Sequence, residues 1–199
     1  MARRLMYWQV YLHKTSLAAE NMLVLLIKRV KRLAKESNQK LGVTASLQKI
    51  LSHQPSKDQK LDEELLLTFA DIDDADIMAA IKSWRTHPDK IVSFLSQSIY
   101  YRNLFKTKIG TKEEIAKAFE KTKSDLISNS DWSANEVKEL VIKGKAENNA
   151  YKTTLKNISI LFKDGRVMDI SKASDDLDIR TLSKTITKHY IAYPRININ

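Results

Sequence analysis

From Leu5 to about Lys35, apolar side chains recur at helical spacing, and no glycine or proline interrupts them. Leu5, Trp8 and Leu12 begin the stripe, Met22, Leu25 and Leu26 continue it, and Val30 and Leu33 close it. The spacing predicts one long helix, or two in line. Lys28, Arg29, Lys31, Arg32 and Lys35 fall near its C-terminal end, where the helix macrodipole favours cations. Only four Gly and three Pro occur in 199 residues, which disfavours sandwiches and long irregular loops. A mostly α fold is therefore expected.

Gly42 stops the first helical run, and Thr44 can start a short helix through about Ser52. Residues 54–60, with Pro55, read as a solvated linker. Further helices are predicted from Asp62 to Phe69, from the acidic stretch Asp71–Asp76 to about Trp84, and from Lys90 to Tyr101 after the break at His87-Pro88-Asp89. Thr111 with Glu114, and Ser133 with Glu136, have capping-box spacing and place helices at about 111–127 and 133–147. Beyond Asn148, Ile158–Phe162 and Val167–Ile170 flank Lys163-Asp164-Gly165-Arg166. They predict a β-hairpin at about 157–171 with a type I′ turn, since Asp-Gly takes positive φ readily. A short helix at about 177–187 and a last strand from His189 to Tyr193 would complete a small α+β lobe. The expected division is a helical part over 1–110, then further helices and the lobe over 111–199.

Zero Cys excludes disulfides, thiolate zinc sites and thiol nucleophiles, and fits a reducing compartment. The longest apolar run, Met22 to Ile27, is far short of the ~20 residues that span a bilayer. Arg3 and Arg4 are followed by Tyr7, Gln9 and His13 rather than by the apolar core of a signal peptide. A cytoplasmic protein with no membrane partner is expected. The net charge of +10 is segregated: residues 1–40 carry nine Lys or Arg against two Glu, whereas residues 61–76 carry seven Asp or Glu and no base. Either the basic part meets an external anion, or the two parts face each other.

The four histidines, His13, His53, His87 and His189, lie far apart with no helical His pair or His-Asp dyad around them, so no metal site is expected; His53, His87 and His189 read as surface or packing residues, and His13 less so because of its aromatic and cationic context. Asp71–Asp76 fails as a cation loop, because Asp76 and Lys82 stand where an EF-hand needs Gly and Glu. Helix capping explains those carboxylates better. No Gly-rich phosphate loop or nucleophile elbow is present.

What remains is two stretches that interleave rings and cations, Met6-Tyr7-Trp8-Gln9-Val10-Tyr11-Leu12-His13-Lys14 and Tyr101-Arg102-Asn103-Leu104-Phe105-Lys106. Rings offer faces to bases and sugars, and Arg and Lys suit phosphate. On a helix, Tyr7, Tyr11 and Lys14 share a face with Arg3 one turn earlier, and Arg102 shares a face with Lys106. Amphipathic packing with snorkelling cations gives the same spacing.

Together and in this order, the two stretches resemble the C-terminal half of HD-domain deoxynucleoside triphosphate triphosphohydrolases, the family that includes the mammalian SAM-and-HD-domain enzyme. Asp73-Asp74 resembles the acidic start of that family's intervening helix, and the region 158–193 is more loosely similar to its C-terminal lobe. The resemblance implies a helical portion continuing an HD domain and a parent enzyme that converts a dNTP to deoxynucleoside and triphosphate. It implies that Tyr11 lies against the substrate sugar and that Arg3 touches the triphosphate. His13 and Lys14 would lie at a regulatory nucleotide, with Arg102 and Lys106 contacting regulatory-nucleotide phosphates. The family's metal-binding His-Asp dyad precedes the Tyr11 segment, so this chain is expected to be a fragment that binds no cofactor itself, is inactive alone, and joins an HD region holding a divalent metal within a homo-oligomer. Two other readings compete: an assembly domain without a nucleotide role, and a basic helical nucleic-acid-binding module.

Overall fold

The structure is a computed structural model describing residues 6, 9–10, 12–37, 41–54, 62–148, 159–169 and 186–195. Among the described residues there are seven helices: α1 (Lys14–Ser37), α2 (Ala45–Ser52), α3 (Glu63–Ala70), α4 (Asp74–Trp84), α5 (Lys90–Tyr100), α6 (Lys112–Asn129) and α7 (Ala134–Leu140). They accompany a three-stranded antiparallel sheet of β1 (Lys106–Gly110), β2 (Ile142–Asn148) and β5 (Ile186–Tyr193), in the order β1-β5-β2. A separate hairpin pairs β3 (Ser159–Leu161) with β4 (Val167–Asp169). The mostly helical expectation holds.

Of the opening run, residues 1–5, 7, 8 and 11 lie outside the described residues. Met6 is helical and Gln9 and Val10 lie in a wider π-type turn before a bend at Leu12 and His13, after which α1 runs unbroken. Its most buried line is Ala18, Met22, Leu26, Val30 and Ala34, one residue every four, flanked by Leu23, Leu25, Ile27 and Leu33 packed half-buried against the same core. Against it pack Ile91, Val92 and Leu95 of α5 and Ala80, Ile81 and Trp84 of α4. The buried Trp84 indole Nε1–H donates to the Leu41 carbonyl at 2.8 Å, satisfying its one polar group.

Local capping fixes most helix starts. Asp73 caps α4 reciprocally with Asp76, which is what the acidic run does. Thr111 with Glu114 and Ser133 with Glu136 form the two predicted boxes before α6 and α7. Asp76 and Glu136 are held below the usual carboxylate range, chiefly because each accepts a backbone N–H, from Asp73 and from Ser133.

Three expectations are corrected. The helix predicted over 133–147 ends at Leu140, and residues 142–148 form β2. Ile142, Gly144 and Ala146 face inward in alternation with Lys143, Lys145 and Glu147, a period of two that marks a strand. Second, the stretch 101–106 is not helical: α5 stops at Tyr100 and β1 starts at Lys106, so Arg102 and Lys106 do not share a helical face. Third, the hairpin turn is not type I′. Gly165 alone takes positive φ (+84°), Gly165 N–H donates to the Phe162 carbonyl and Phe162 N–H to Arg166, which is a type I turn with a glycine bulge. Of the helix predicted over 177–187, Ile186 and Thr187 belong to β5 and the rest lies outside the described residues. Most of the predicted linker over 54–60 lies outside them too.

The predicted last strand is the centre of the sheet. Tyr190 and Ala192 face α1, where Tyr190 packs with Leu17 and Ala146, while Ile191 and Tyr193 face α6 and pack with Ile115 and Leu126. Covered on both sides, β5 needs a continuous apolar run, and Tyr190-Ile191-Ala192-Tyr193 supplies it.

Candidate functional site

Tyr11 and Arg3, expected at the substrate sugar and triphosphate, lie outside the described residues. His13 and Lys14 stand at the exposed start of α1. The His13 ring accepts the Thr15 N–H at Nδ1 (3.3 Å), so His13 works at least as a cap for the helix, while the Ser16 hydroxyl donates to the Val10 carbonyl at 2.8 Å. Lys14 is exposed and has no side-chain partner among the described residues, and it sits where the helix presents unpaired N–H groups.

Arg102 occupies the turn between α5 and β1 and has φ +57°, alone among the described non-glycine residues. Tyr101 N–H donates to the Gln97 carbonyl and Arg102 N–H to Ile99, so Arg102 takes the left-handed position that commonly ends a helix with glycine. An arginine there carries a left-handed strain that glycine would not. Its guanidinium is exposed and has no side-chain partner among the described residues. Beside it, Arg85 lies over the Tyr100 ring at 4.2 Å and donates to the Tyr101 hydroxyl at 3.1 Å, leaving the Tyr101 ring exposed. The result is a surface of two cations and an open aromatic face.

Lys106 is exposed at the start of β1, opposite Tyr193. Alternation along β1 turns Thr107 and Ile109 toward α1 and Lys106 and Lys108 to the other side of the sheet, so Lys106 does not join His13 and Lys14. Leu12 packs near Ile109, at the end of β1 away from Lys106. The predicted residues thus fall in two places: His13 with Lys14 at the head of α1, and Arg102 with Lys106 flanking the α5–β1 turn. Phe105, between the latter two, is core.

A second polar centre was not among the sequence candidates. Arg29 of α1 directs Nε and Nη2 at the Asp89 carboxylate (2.5–3.2 Å) and Nη1 at Glu139 (3.1 Å), while Arg32 Nη2 reaches Glu139 at 2.8 Å. Asp89 also caps α5 by accepting the Val92 N–H. Burial pushes the Asp89 carboxyl up, but the Arg29 guanidinium and the Val92 amide outweigh this, and it rests below the usual range. The Arg29 guanidinium, bonded to Asp89 against the cost of its own burial, is raised. These arginines therefore answer to carboxylates on α5 and α7, not to the acidic run at 62–76. The partners lie 60 and 110 residues away, so no local spacing could have signalled them.

Among the described residues no group of three or more His, Asp or Glu comes together to hold a metal ion. No helix among them is long and apolar enough to cross a membrane.

No family profile matches the sequence. Among curated proteins the chain is similar to YwfO of Bacillus subtilis (strain 168), a protein described as uncharacterized, at 28% identity over 125 residues, which is 61% of this chain and 26% of that protein. A solved structure from Bacteroides thetaiotaomicron VPI-5482, BT4208, superposes on 98% of this chain with a TM-score of 0.79 and 36% sequence identity. That neighbour is a phosphohydrolase. The chain spans 48% of its length, about half.

Proposed function

We propose that this chain is the nucleotide-contacting part of an HD-type phosphohydrolase that cleaves deoxynucleoside triphosphates to deoxynucleoside and triphosphate. The observation that carries the reading is the 36% identity held over nearly the whole chain against half of a phosphohydrolase. The hydrolytic divalent metal would be held by the remaining half of such a protein; the residues described here do not fit one. What this chain supplies is binding. Tyr11 lies against the sugar and Arg3 reaches the phosphates of the substrate, while His13 and Lys14 on one surface, and Arg102 and Lys106 on another, each contact a regulatory nucleotide. Support comes from the exposed, unpartnered state of Lys14, Arg102 and Lys106 among the described residues, and from the strain accepted at Arg102.

The test is equilibrium binding of the four dNTPs to the 199-residue chain. Loss of one charge-assisted hydrogen bond of about 1.5–3 kcal/mol weakens binding by roughly ten- to a hundredfold. Lys14→Ala and Arg102→Ala should each show this loss. Absence of binding by every dNTP, or affinity indifferent to both changes, refutes the assignment.

A subunit-contact role accompanies this reading. Helix α3 buries none of its residues and exposes Leu66, Leu67 and Phe69, the last by 64%. Apolar surface of this kind suits an interface within a homo-oligomer. Light scattering tests it: a strictly monomeric parent protein would contradict this role.

A further inference from the structure

A cavity of about 190 Å³ opens beside α1, lined by Leu25, Lys28, Arg29, Arg32, Ile91 and Glu139. We propose that it binds a small inorganic phosphate-type anion, a diphosphate in size and charge, held by Lys28 and Arg32 in competition with Glu139.

Three cations and one carboxylate line the space, and with Arg29 paired to Asp89 outside the lining, Lys28 and Arg32 face Glu139 alone. Arg29 is already committed, with Nε, Nη1 and Nη2 all bonded to Asp89 or Glu139. Arg32 is not. It gives Glu139 only Nη2, and its Nε and Nη1 have no acceptor among the described residues. Lys28 is exposed and has no partner among them at all. Lys28 and Arg32 stand four residues apart on one helix face, a spacing at which like charges repel, and a shared anion turns that repulsion into attraction. Leu25 and Ile91 give the site apolar walls, which strengthen any charge interaction made against them.

The size selects the ligand class. Pockets for nucleotide- or drug-sized molecules run to about 300–1,000 Å³. This cavity is smaller than that, and its lining has cations for phosphate groups but no aromatic ring for a base. Glu139 now occupies the position of the anion's competitor, because its carboxylate is shared between Arg29 and Arg32. An incoming phosphate would draw Arg32 away from Glu139 and loosen the link between α1 and α7. None of these residues belongs to the nucleotide contacts proposed above, so the two readings stand or fall separately.

Calorimetric titration of the 199-residue chain with sodium pyrophosphate tests the site. One-to-one binding is expected. Lys28→Gln, whose side chain has no structural partner to lose, should weaken it about tenfold, the value of one charge-assisted contact. Glu139→Gln should tighten it several-fold, since the competing charge is removed while the amide retains a bond to Arg29. A nucleoside diphosphate should bind no more than a few-fold tighter than pyrophosphate. The proposal is overturned by absence of pyrophosphate binding, by a Lys28→Gln chain that binds as before, or by Glu139→Gln weakening the site. A nucleoside diphosphate favoured by more than tenfold would overturn the ligand class.

Discussion

Replacing Arg102 by glycine removes a side chain and should nevertheless stabilise the fold. Arg102 sits at φ +57° in the turn that ends α5. For a residue with a Cβ, the left-handed region costs about 1–2 kcal/mol. Glycine escapes that penalty but carries about 0.5–1 kcal/mol more backbone entropy in the unfolded chain. The difference favours Arg102→Gly by about 0.5–1 kcal/mol, and because Arg102 has no side-chain partner among the described residues, nothing is lost in return. For a chain of this size the midpoint should rise by about 1–4 °C. Arg102→Ala keeps the Cβ and the strain, so its stability should stay within about 0.5 kcal/mol of the parent. Urea unfolding followed by tryptophan fluorescence separates the two. Both variants lose the guanidinium and should lose dNTP affinity alike. A chain that gains stability while it loses binding identifies Arg102 as kept for its ligand. If Arg102→Gly is no more stable than Arg102→Ala, the strain argument is wrong.

Asp89→Asn keeps a cap for α5 but removes the charge paired with Arg29; because Arg29 retains Glu139 and the pair is partly exposed, a loss of about 2–3 kcal/mol is expected in denaturant titration. The Asp89 carboxyl is held below its ordinary value, so its contribution is present above the unfolded pKa near ~3.9 and is lost as the pH falls through the folded one; acid unfolding of Asp89→Asn should be correspondingly shallower. Gly144→Ala would set a Cβ 2.5 Å from the Tyr190 ring, whose hydroxyl is tied to Asn21 at 3.0 Å, and should destabilise the sheet by about 1–3 kcal/mol in the same assay. Ser133→Ala removes the oxygen that accepts the Glu136 N–H and should reduce stability by about 1 kcal/mol, read as a shift in the urea midpoint at constant slope.

What could be read from the sequence was local. The boxes Asp73–Asp76, Thr111–Glu114 and Ser133–Glu136 announce themselves within four residues, and each begins a helix. The four-residue repeat of α1 and the unbroken apolar run of β5 are equally self-contained. Strands β1 and β2 were missed because they carry lysines on alternate positions and take their apolar partners from β5, tens of residues away. A capping box at Ser133 starts a helix but says nothing of where it stops. The turn at Arg102 escaped for another reason: the left-handed position favours glycine or asparagine, and an arginine there contradicts local preference. The ion-pair centre at Arg29 was invisible because Asp89 and Glu139 meet it only in the folded chain. At the candidate site, composition gave the kind of side chain, while the fold showed that Lys14 and Arg102 belong to separate surfaces.

On the proposed function, these two surfaces receive phosphorylated nucleosides. Titration of the isotope-labelled 199-residue chain with each dNTP, followed by amide chemical shifts, tests it directly. Saturable shifts centred on His13 and Lys14 and on Arg102 to Lys106 are the expected result. Shifts confined to other surfaces, or none with any of the four dNTPs, would contradict it.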